Sequence, residues 1–460
     1  MILLKNQAEK RRMESSRAMP EFSQMDLTAQ KIRSDFARLP FRKEWSFRDA
    51  QRKEMYAHTH GYHRYPAKFI PQIVKQLIAS YAPTGKEVIC DPFGGCGTTL
   101  VEAKISGRKS IGFDINPIAK LITQVKVTPI NPRLLEKYRM EFVRKLKNTR
   151  IKKVRHHQRI SYWFDARTTR QLDGIYLAIK KIKNPDIKKF FLCAFSHNLK
   201  NSSRWLMKSI KPTIDKKKIV PNPKESFLRH LDLMVRKNRE FYNELSTANR
   251  LWVKTAMYRR DSTRLLPLRS NSVDLIITSP PYVTSYEYAD LHQLSLLWFG
   301  DDFHYFKKWH RFSNNFNDFR KQFIGTTYKQ TSGESLESII AQGIVNELIK
   351  VDRPLAADVA NYFTDVSKAL AEMYRILKPG GKACVIVGNT ALRGVDILNA
   401  EVTAEQMSQL GFEKVDFIKR EVSNKMITPW RDKKTGKFTD LNNPNKKRVY
   451  EYEYVIVMEK

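Results

Sequence analysis

Short apolar runs that stop abruptly at polar, proline or glycine residues recur along this chain. The clearest is residues 275–277, a β-branched run that ends at Ser279-Pro280-Pro281-Tyr282. This pattern is typical of a strand buried on both faces of a parallel sheet. The same pattern predicts further strands, which lie at residues 87–91, 109–114, 255–261, 383–389, 413–420 and 450–458.

Apolar residues at helical spacing fill most of the stretches between these runs. One helix is predicted to end at Lys378-Pro379-Gly380-Gly381, and another to begin at a Thr403 cap and stop at Gly411. Strands that alternate with helices predict an α/β fold with a parallel sheet. The predicted helices lie at residues 72–80, 100–103, 115–119, 166–183, 187–199, 226–245, 288–299, 359–377 and 404–410.

A large positive charge indicates a polyanionic partner. The 460 residues include 83 Lys and Arg against 47 Asp and Glu, a formal charge of +36. Residues 131–250 alone hold 31 basic and 10 acidic side chains, so +21 of the excess lies in this helical block. A solvated insertion is one interpretation, and a nucleic-acid clamp is the one we favour. Its candidate phosphate contacts are Lys152, Lys153, Lys200, Ser202, Ser203, Arg204, Lys216 and Lys217.

Other features narrow the class of protein. No apolar run approaches the roughly 18 residues of a membrane span, and the start of the chain lacks a signal-peptide core, so we expect a cytoplasmic, nucleoid-associated protein without a membrane partner. The four cysteines show no Cys-x-x-Cys spacing and are predicted to be reduced core residues. We predict no metal site.

A glycine-rich turn follows the predicted strand at 87–91. Its sequence is Asp91-Pro92-Phe93-Gly94-Gly95-Cys96-Gly97-Thr98-Thr99, and a second strand ends 23 residues after Asp91 at Asp114. Nucleotide-binding β-α-β units place the carboxylate that binds ribose hydroxyls at about this distance. No Gly-Lys-Ser/Thr closes the turn, which argues against a Walker phosphate loop. Dehydrogenases and many nucleotide-binding proteins share such a turn.

The prolines after residues 275–277 prevent both helix and sheet pairing, so Ser279 to Tyr282 must leave the sheet as a stiff loop. Such loops at the ends of parallel strands are where ligands bind. A surface turn or a ligand for a proline-recognising domain is the alternative. The strand before the loop, together with the glycine-rich turn, favours a ligand site.

Together, Asp-Pro-Phe-x-Gly-x-Gly-Thr-Thr at 91–99 and Thr-Ser-Pro-Pro-Tyr at 278–282 resemble the motifs of DNA amino-methyltransferases. A third segment, residues 60–71, resembles the stretch that closes over the cofactor in that family. The resemblance covers residues 58–125 and 255–395. The order of the motifs differs from that of many relatives with this glycine loop, and roughly 140 residues follow Asp114 where a compact methylase has a short helix.

The resemblance implies a Rossmann-like, seven-stranded, mostly parallel methyltransferase sheet with a large helical insertion. With the charge distribution, it assigns 46–126 and 251–460 to the core, 127–250 to a basic DNA-binding or target-recognition insertion, and 301–360 to a second insertion within the core. The polar residues 1–45 form an N-terminal arm, which either packs against the fold or contacts DNA. S-adenosyl-L-methionine is the implied cofactor. The implied cofactor-binding residues are Tyr65, Ala67, Lys68, Phe69, Asp91, Pro92, Phe93, Gly94, Gly95, Gly97, Thr98, Thr99, Asp114, Ile115, Asp261 and Ser279.

The catalytic residues implied are Ser279, Pro280, Pro281 and Tyr282. The Ser279 hydroxyl and the Pro280 carbonyl would accept hydrogens from an exocyclic amine, and Tyr282 would stack on a base flipped out of duplex DNA. Asp261 would accept the cofactor's adenine amine, or simply cap the turn after it. The serine form of the motif favours cytosine N4 as the acceptor.

Two classes of alternative stay open. One keeps the chemistry but changes the acceptor to adenine N6 or to a base in RNA. The other is an inactive nucleic-acid-binding protein that keeps the fold. No cysteine follows a proline in the way that carbon-5 methylation requires. A companion restriction endonuclease and the oligomeric state are left open.

Overall fold

A computed structural model describes residues 22–66, 68–147, 154, 156–283, 287–300, 314–330, 333, 335–422, 430–432, 439, 441–448 and 452–460. The predicted site residues Ala67, Lys152 and Lys153 lie outside these ranges.

Seven strands form one twisted sheet. They are β1 (Val88–Asp91), β2 (Lys109–Asp114), β3 (Thr255–Arg259), β4 (Val273–Thr278), β5 (Leu377–Val387), β8 (Glu413–Glu421) and β11 (Tyr452–Glu459). Their order is β3-β2-β1-β4-β5-β11-β8. Six of these strands run in the same direction, and β11 runs in the opposite direction between β5 and β8. The predicted seven-stranded, mostly parallel sheet is confirmed.

Two short hairpins lie outside this sheet. One pairs β6 (Thr390–Leu392) with β7 (Val395–Ile397), and the other pairs β9 (Trp430–Asp432) with β10 (Lys446–Arg448). The α-helices of the described residues are Phe22–Ala37, Arg52–Met55, Pro71–Tyr81, Thr98–Ile105, Pro117–Val127, Pro132–Lys147, Arg159–Trp163, Ala166–Lys180, Pro185–Asn201, Pro223–Thr247, Gln293–Phe299, Asn314–Arg320, Ile339–Val351, Arg353–Ile376 and Asn399–Gln409.

The strands at the centre of the sheet are apolar on both faces. In β4, Leu275, Ile276 and Ile277 are all fully buried, because helices cover both sides of the sheet. β1 lies beside β4 with Cys90 opposite Ile276. The order of the strands reverses between these two, and ligands bind at such a reversal in open α/β sheets.

The large helical insertion is confirmed, and its core is shared with residues that precede it, such as Tyr62 and Ile118. Helices between Pro132 and Thr247 bury aromatic side chains such as Phe190, Phe191 and Phe227. This core also takes in residues after β4, including Trp298 and Phe319. The insertion therefore packs directly against the segment that follows the Ser-Pro-Pro-Tyr loop.

One predicted helix cap is wrong, and one strand begins earlier than predicted. Thr403 does not cap a helix: the helix is Asn399–Gln409, and the Thr403 hydroxyl donates to the Asn399 carbonyl at 2.7 Å. The helix Arg353–Ile376 ends just before 378–381, as predicted, but these four residues belong to β5, which begins at Leu377 and not at 383. Gly380 and Gly381 stay in the sheet because their backbone pairs with Lys460.

Two flanking helices belong to the hydrophobic cluster that covers one face of the sheet. In the helix Phe22–Ala37, Phe36 packs against Phe417 with 4.8 Å between ring centroids. In the helix Ile339–Val351, within the predicted second insertion, Ile340 and Leu348 are fully buried. Across the part of the chain that the structure describes, every helix is too short or too polar to cross a membrane.

Candidate active site

The carboxyl ends of β1, β2, β3 and β4 border one cavity of about 1020 Å³. Small-molecule sites measure about 300–1,000 Å³, so this cavity has room for a ligand as large as a nucleoside and for part of a second one. Most of the predicted site residues line it: Tyr65, Lys68, Phe69, Asp91, Pro92, Phe93, Gly94, Gly95, Thr98, Asp114, Ile115, Asp261, Ser279, Pro280, Pro281 and Tyr282.

Two predicted cofactor residues stand behind the cavity wall. Gly97 has φ +79° and begins the helix Thr98–Ile105, and a Cβ there would lie 2.6 Å from Thr123 Cγ2. Thr99 donates its hydroxyl to the Ile277 carbonyl at 3.2 Å, which ties the turn to β4. Both residues shape the site from outside.

The glycine-rich turn is held by its own backbone and by β2. Gly94 N donates to the Phe113 carbonyl at 2.8 Å, and Gly97 N donates to the Gly94 carbonyl at 2.7 Å. A Cβ on Gly95 would come within 3.4 Å of the Tyr65 hydroxyl. The turn and Tyr65 therefore form adjacent walls of the cavity.

Two aspartates stand at the ends of β1 and β2. Asp91 accepts hydrogen bonds from the Thr278 hydroxyl at 2.7 Å and from Phe93 N at 3.1 Å. Asp114 accepts from Gly95 N at 3.0 Å and from Asn116 N at 2.7 Å, one on each oxygen. Burial raises the pKa of each carboxyl to about 6, against the hydrogen bonds that lower it. A carboxylate has about four acceptor positions, so Asp114 keeps capacity for ligand hydroxyls.

The Ser-Pro-Pro-Tyr loop leaves β4 beside these aspartates. Tyr282 is anchored at both ends: its backbone N donates to the Tyr288 hydroxyl at 3.3 Å, and its own hydroxyl donates to Glu453 Oε1 at 2.8 Å. Burial, and after it the Glu453 carboxylate, raises the pKa of Tyr282 well above its ordinary value. The phenol therefore stays protonated and keeps donating at neutral pH.

Asp261 caps the turn after β3 and also lines the cavity where a ligand amine would bind. Its Oδ1 accepts from Thr263 N at 3.0 Å and from the Thr263 hydroxyl at 2.8 Å, so it caps the turn after β3. It also lines the cavity. Capping does not exclude the predicted contact with a ligand amine, which stays a prediction.

Sequence reasoning missed a group of histidines in the cavity wall. His63, His197 and His292 line the cavity, and His197 stacks on His230 with 3.6 Å between centroids. Burial lowers the pKa of His292 to about 3 and the pKa of His230 to about 4, so both are neutral at pH 7. Only His63, two residues before Tyr65, stands in a motif; the others come from distant helices and carry no local signal. Among the described residues, no three His, Cys, Asp or Glu side chains group closely enough to hold a metal ion.

Asn116 fixes the proton on one of these rings. Its side-chain oxygen accepts from Ile118 N at 2.9 Å as a helix cap, so its amide NH₂ faces His292 Nδ1 at 3.2 Å. Nδ1 must then accept, which places the proton of the neutral ring on Nε2. His292 therefore presents a defined tautomer beside Tyr65, at 5.2 Å between ring centroids.

The predicted phosphate contacts divide into exposed and buried residues. Arg204, Lys216 and Lys217 are exposed on the loop after the helix Pro185–Asn201. Ser202 and Ser203 are only 1% and 0% exposed, and the Ser203 hydroxyl donates to the Lys200 carbonyl at 3.0 Å, so their side chains do not fit a direct phosphate contact.

Lys200 lines the cavity and donates to the Ser209 carbonyl at 2.8 Å. Burial lowers the pKa of Lys200 to about 8. In this position Lys200 holds the loop against the cavity, and a direct contact with phosphate stays a prediction.

Known proteins resemble the chain along most of its length. A family model described as DNA methylase matches residues 2–124, and one described as methyltransferase domain matches residues 346–385. The chain is 26% identical over 406 residues to the Type II methyltransferase M.MvaI of Kocuria varians, covering 82% of this chain and 87% of the relative. The predicted resemblance to the DNA amino-methyltransferases is confirmed.

Further relatives carry the same description. The Type II methyltransferase M.BsoBI of Geobacillus stearothermophilus is 23% identical over 410 residues, covering 77% of this chain and 79% of that one. M.MjaII of Methanocaldococcus jannaschii is 38% identical over 112 residues, 24% of this chain and 21% of the relative. The solved structure of TTHA0409 from Thermus thermophilus, complexed with S-adenosyl-L-methionine, is 18% identical over 44% of this chain and 53% of that one. Its TM-score to this chain is 0.21.

The predicted cofactor, S-adenosylmethionine, is confirmed. The cavity of this methyltransferase fits it by the chemistry of its walls. The glycine turn lets a ligand lie close to the backbone, and the Asp114 and Asp261 carboxylates would accept from ribose hydroxyls and from an adenine amine. The individual contacts stay predictions.

Proposed function

We propose that this methyltransferase is a site-specific enzyme that methylates the exocyclic N4 of cytosine in duplex DNA, on a base flipped into the cavity. One observation carries the proposal: the glycine turn of β1 and the Ser-Pro-Pro-Tyr loop of β4 leave adjacent parallel strands into one cavity. Cofactor and target base would then meet at the reversal in strand order.

An exocyclic amine needs help because its lone pair is delocalised into the base. The Ser279 hydroxyl and the Pro280 carbonyl can accept the amine hydrogens and turn the lone pair out of the ring plane. Both residues line the cavity, where Thr278 ties the end of β4 to Asp91. The bound cofactor supplies a methyl group on a sulfonium, a good electrophile. The residues of the chain align the amine with the methyl group. In well-oriented reactions such alignment lowers the activation free energy by about 7–11 kcal/mol.

The Tyr282 ring is the proposed stacking surface for the flipped base. Stacking of a base on an aromatic ring is worth about 1–3 kcal/mol. The anchors on Tyr288 and Glu453 hold the ring in place before a base arrives. Little ordering is then left to occur on binding.

We propose that the DNA lies along the exposed basic residues of the helical insertion. The exposed Arg204, Lys216 and Lys217 remain proposed phosphate contacts, and Lys208 and Arg64 line the cavity nearby. Contacts of this kind position a duplex without reading its sequence. They also make binding sensitive to salt.

Identifying the methylated nucleoside tests the proposal. The methyltransferase is incubated with methyl-labelled cofactor and unmodified bacterial DNA, and in parallel with total RNA, and the products are digested to nucleosides. We expect label in N4-methylcytosine from DNA. Label in N6-methyladenine would change the acceptor, label in RNA alone would overturn the DNA claim, and no label in either would indicate an inactive binding protein.

A further inference from the structure

We propose that Glu453, held by Arg420, is a positioning residue that fixes the Tyr282 ring for stacking on the target base. This inference rests on the proposed function, since it concerns the same site. Glu453 and Arg420 both line the cavity next to Tyr282 and lie outside the motifs of the sequence.

The sheet brings the three side chains together. β11 runs antiparallel to β5, so its first residues lie at the carboxyl end of β5, on the same edge as the Ser-Pro-Pro-Tyr loop. β8 pairs with β11 in a register that places Arg420 directly opposite Glu453. Cross-strand neighbours on one face are close enough to interact. The pair is therefore built into the sheet, while Tyr282 reaches it from a loop.

A chain of hydrogen bonds runs from Tyr282 into the protein. The Tyr282 hydroxyl donates to Glu453 Oε1 at 2.8 Å, and Glu453 Oε2 accepts from Arg420 Nη1. Arg420 Nε donates in turn to the Trp45 carbonyl at 2.7 Å. Arg420 is only 3% exposed, so its position is fixed by packing. Each oxygen of Glu453 thus has its own fixed partner.

The ring itself has a second constraint. An added Cβ at Gly388 would lie 3.6 Å from Tyr282 Cε2, so the ring packs beside the end of β5. The hydroxyl tether and this packing together select one orientation of the ring. Since sites held by fixed partners lose less entropy on binding, removing the tether lowers the rate of methylation without removing the stacking surface.

A double-mutant cycle tests the inference. Tyr282→Phe keeps the ring but removes the hydroxyl, and Glu453→Ala removes its acceptor. We expect each change to lower kcat for DNA methylation roughly ten-fold, the scale of one lost hydrogen bond to a charged group, with KM for the cofactor unchanged. Because Glu453 acts on the ring through the Tyr282 hydroxyl, adding Glu453→Ala to Tyr282→Phe should lower kcat no further than Tyr282→Phe alone, and not by another ten-fold. Glu453→Gln keeps one acceptor for two donors, the Tyr282 hydroxyl and Arg420, so its kcat should lie between that of the wild type and that of Glu453→Ala.

Glu459→Ala is the matched control. Glu459 lies on the same strand and pairs with Lys382 at 2.9 Å, away from the cavity, so its loss should leave kcat unchanged. If Glu453→Ala does not fold because Arg420 loses its partner, Glu453→Leu with Arg420→Met removes both charges and takes its place in the cycle.

Two failures are distinguishable. If the wild type methylates DNA but the losses of the two single variants multiply, Glu453 does not act through the Tyr282 hydroxyl and this inference is wrong. If the wild type transfers no methyl group to DNA, the proposed function is wrong, and this inference falls with it.

Discussion

Replacing Tyr282 with alanine is expected to lower kcat/KM for DNA methylation by roughly a hundred-fold, while the affinity for S-adenosylmethionine stays within about three-fold. The stacking surface for a flipped base is worth about 1–3 kcal/mol, and a hundred-fold loss corresponds to about 2.7 kcal/mol, within that range. Ser279→Ala should reduce kcat by a similar factor of about 10², since it removes one positioned group at the reacting amine. Initial rates with labelled cofactor, together with calorimetry for cofactor binding, measure the two effects separately.

Tyr258→Ala provides the control for the loss of an aromatic ring. Tyr258 lies on the edge strand β3, is half-exposed and packs against Phe113 outside the cavity. Its replacement should leave kcat/KM close to that of the wild type. Unchanged methylation by both Tyr282→Ala and Ser279→Ala would show that the acceptor base binds elsewhere.

Gly97→Ala is expected to reduce the free energy of unfolding by about 3 kcal/mol and to weaken cofactor binding by about ten-fold or more. A left-handed backbone costs a non-glycine residue about 1–2 kcal/mol, and overpacking adds about 1–3 kcal/mol. Gly97 has φ +79°, and an added Cβ would lie 2.6 Å from Thr123 Cγ2 and 2.8 Å from Thr123 Oγ1. Thr123 cannot move freely, because its hydroxyl donates to the Gly95 carbonyl at 2.9 Å. Denaturant unfolding and calorimetry measure both effects.

Gly85→Ala separates the two causes. Gly85 has φ +81°, but nothing lies within 4 Å of a Cβ there. Its replacement should therefore show the backbone cost alone, about 1–2 kcal/mol, with normal cofactor binding. If Gly97→Ala were no less stable than Gly85→Ala, the turn would not pack on Thr123 as the structure shows.

The central strands and their loops were predictable because their signals are local. A strand buried on both faces must be apolar throughout, and a turn that leaves it shows glycine or proline within a few residues. The bounds of β2 at Lys109–Asp114 match the prediction, and the loops after β1 and β4 reach the cavity as expected. Adjacency of the two loops follows from the strand order of such folds.

The rest depended on contacts between distant segments. The helix predicted to begin at Thr403 begins at Asn399 instead, because Ala400 N finds its acceptor in the side chain of Asn389, at 2.9 Å. β5 begins at Leu377, before the predicted start at 383, because Gly380 N donates to the Lys460 carbonyl at 2.7 Å.

Glu453 and Arg420 enter the site only through the pairing of β11 with β5 and β8. An acidic and a basic residue on ordinary strands give no local sign of such a role. The same holds for His197 and His230, whose stacking depends on how two helices of the insertion pack.

A crystal structure of the complex with S-adenosylhomocysteine and duplex DNA tests the central claim most directly. The account predicts the sulfur of the cofactor product between the glycine turn of β1 and Ser279, and a cytosine turned out of the duplex against the Tyr282 ring. Cofactor product bound away from the carboxyl ends of β1 and β4, or DNA bound with no base in the cavity, would contradict it.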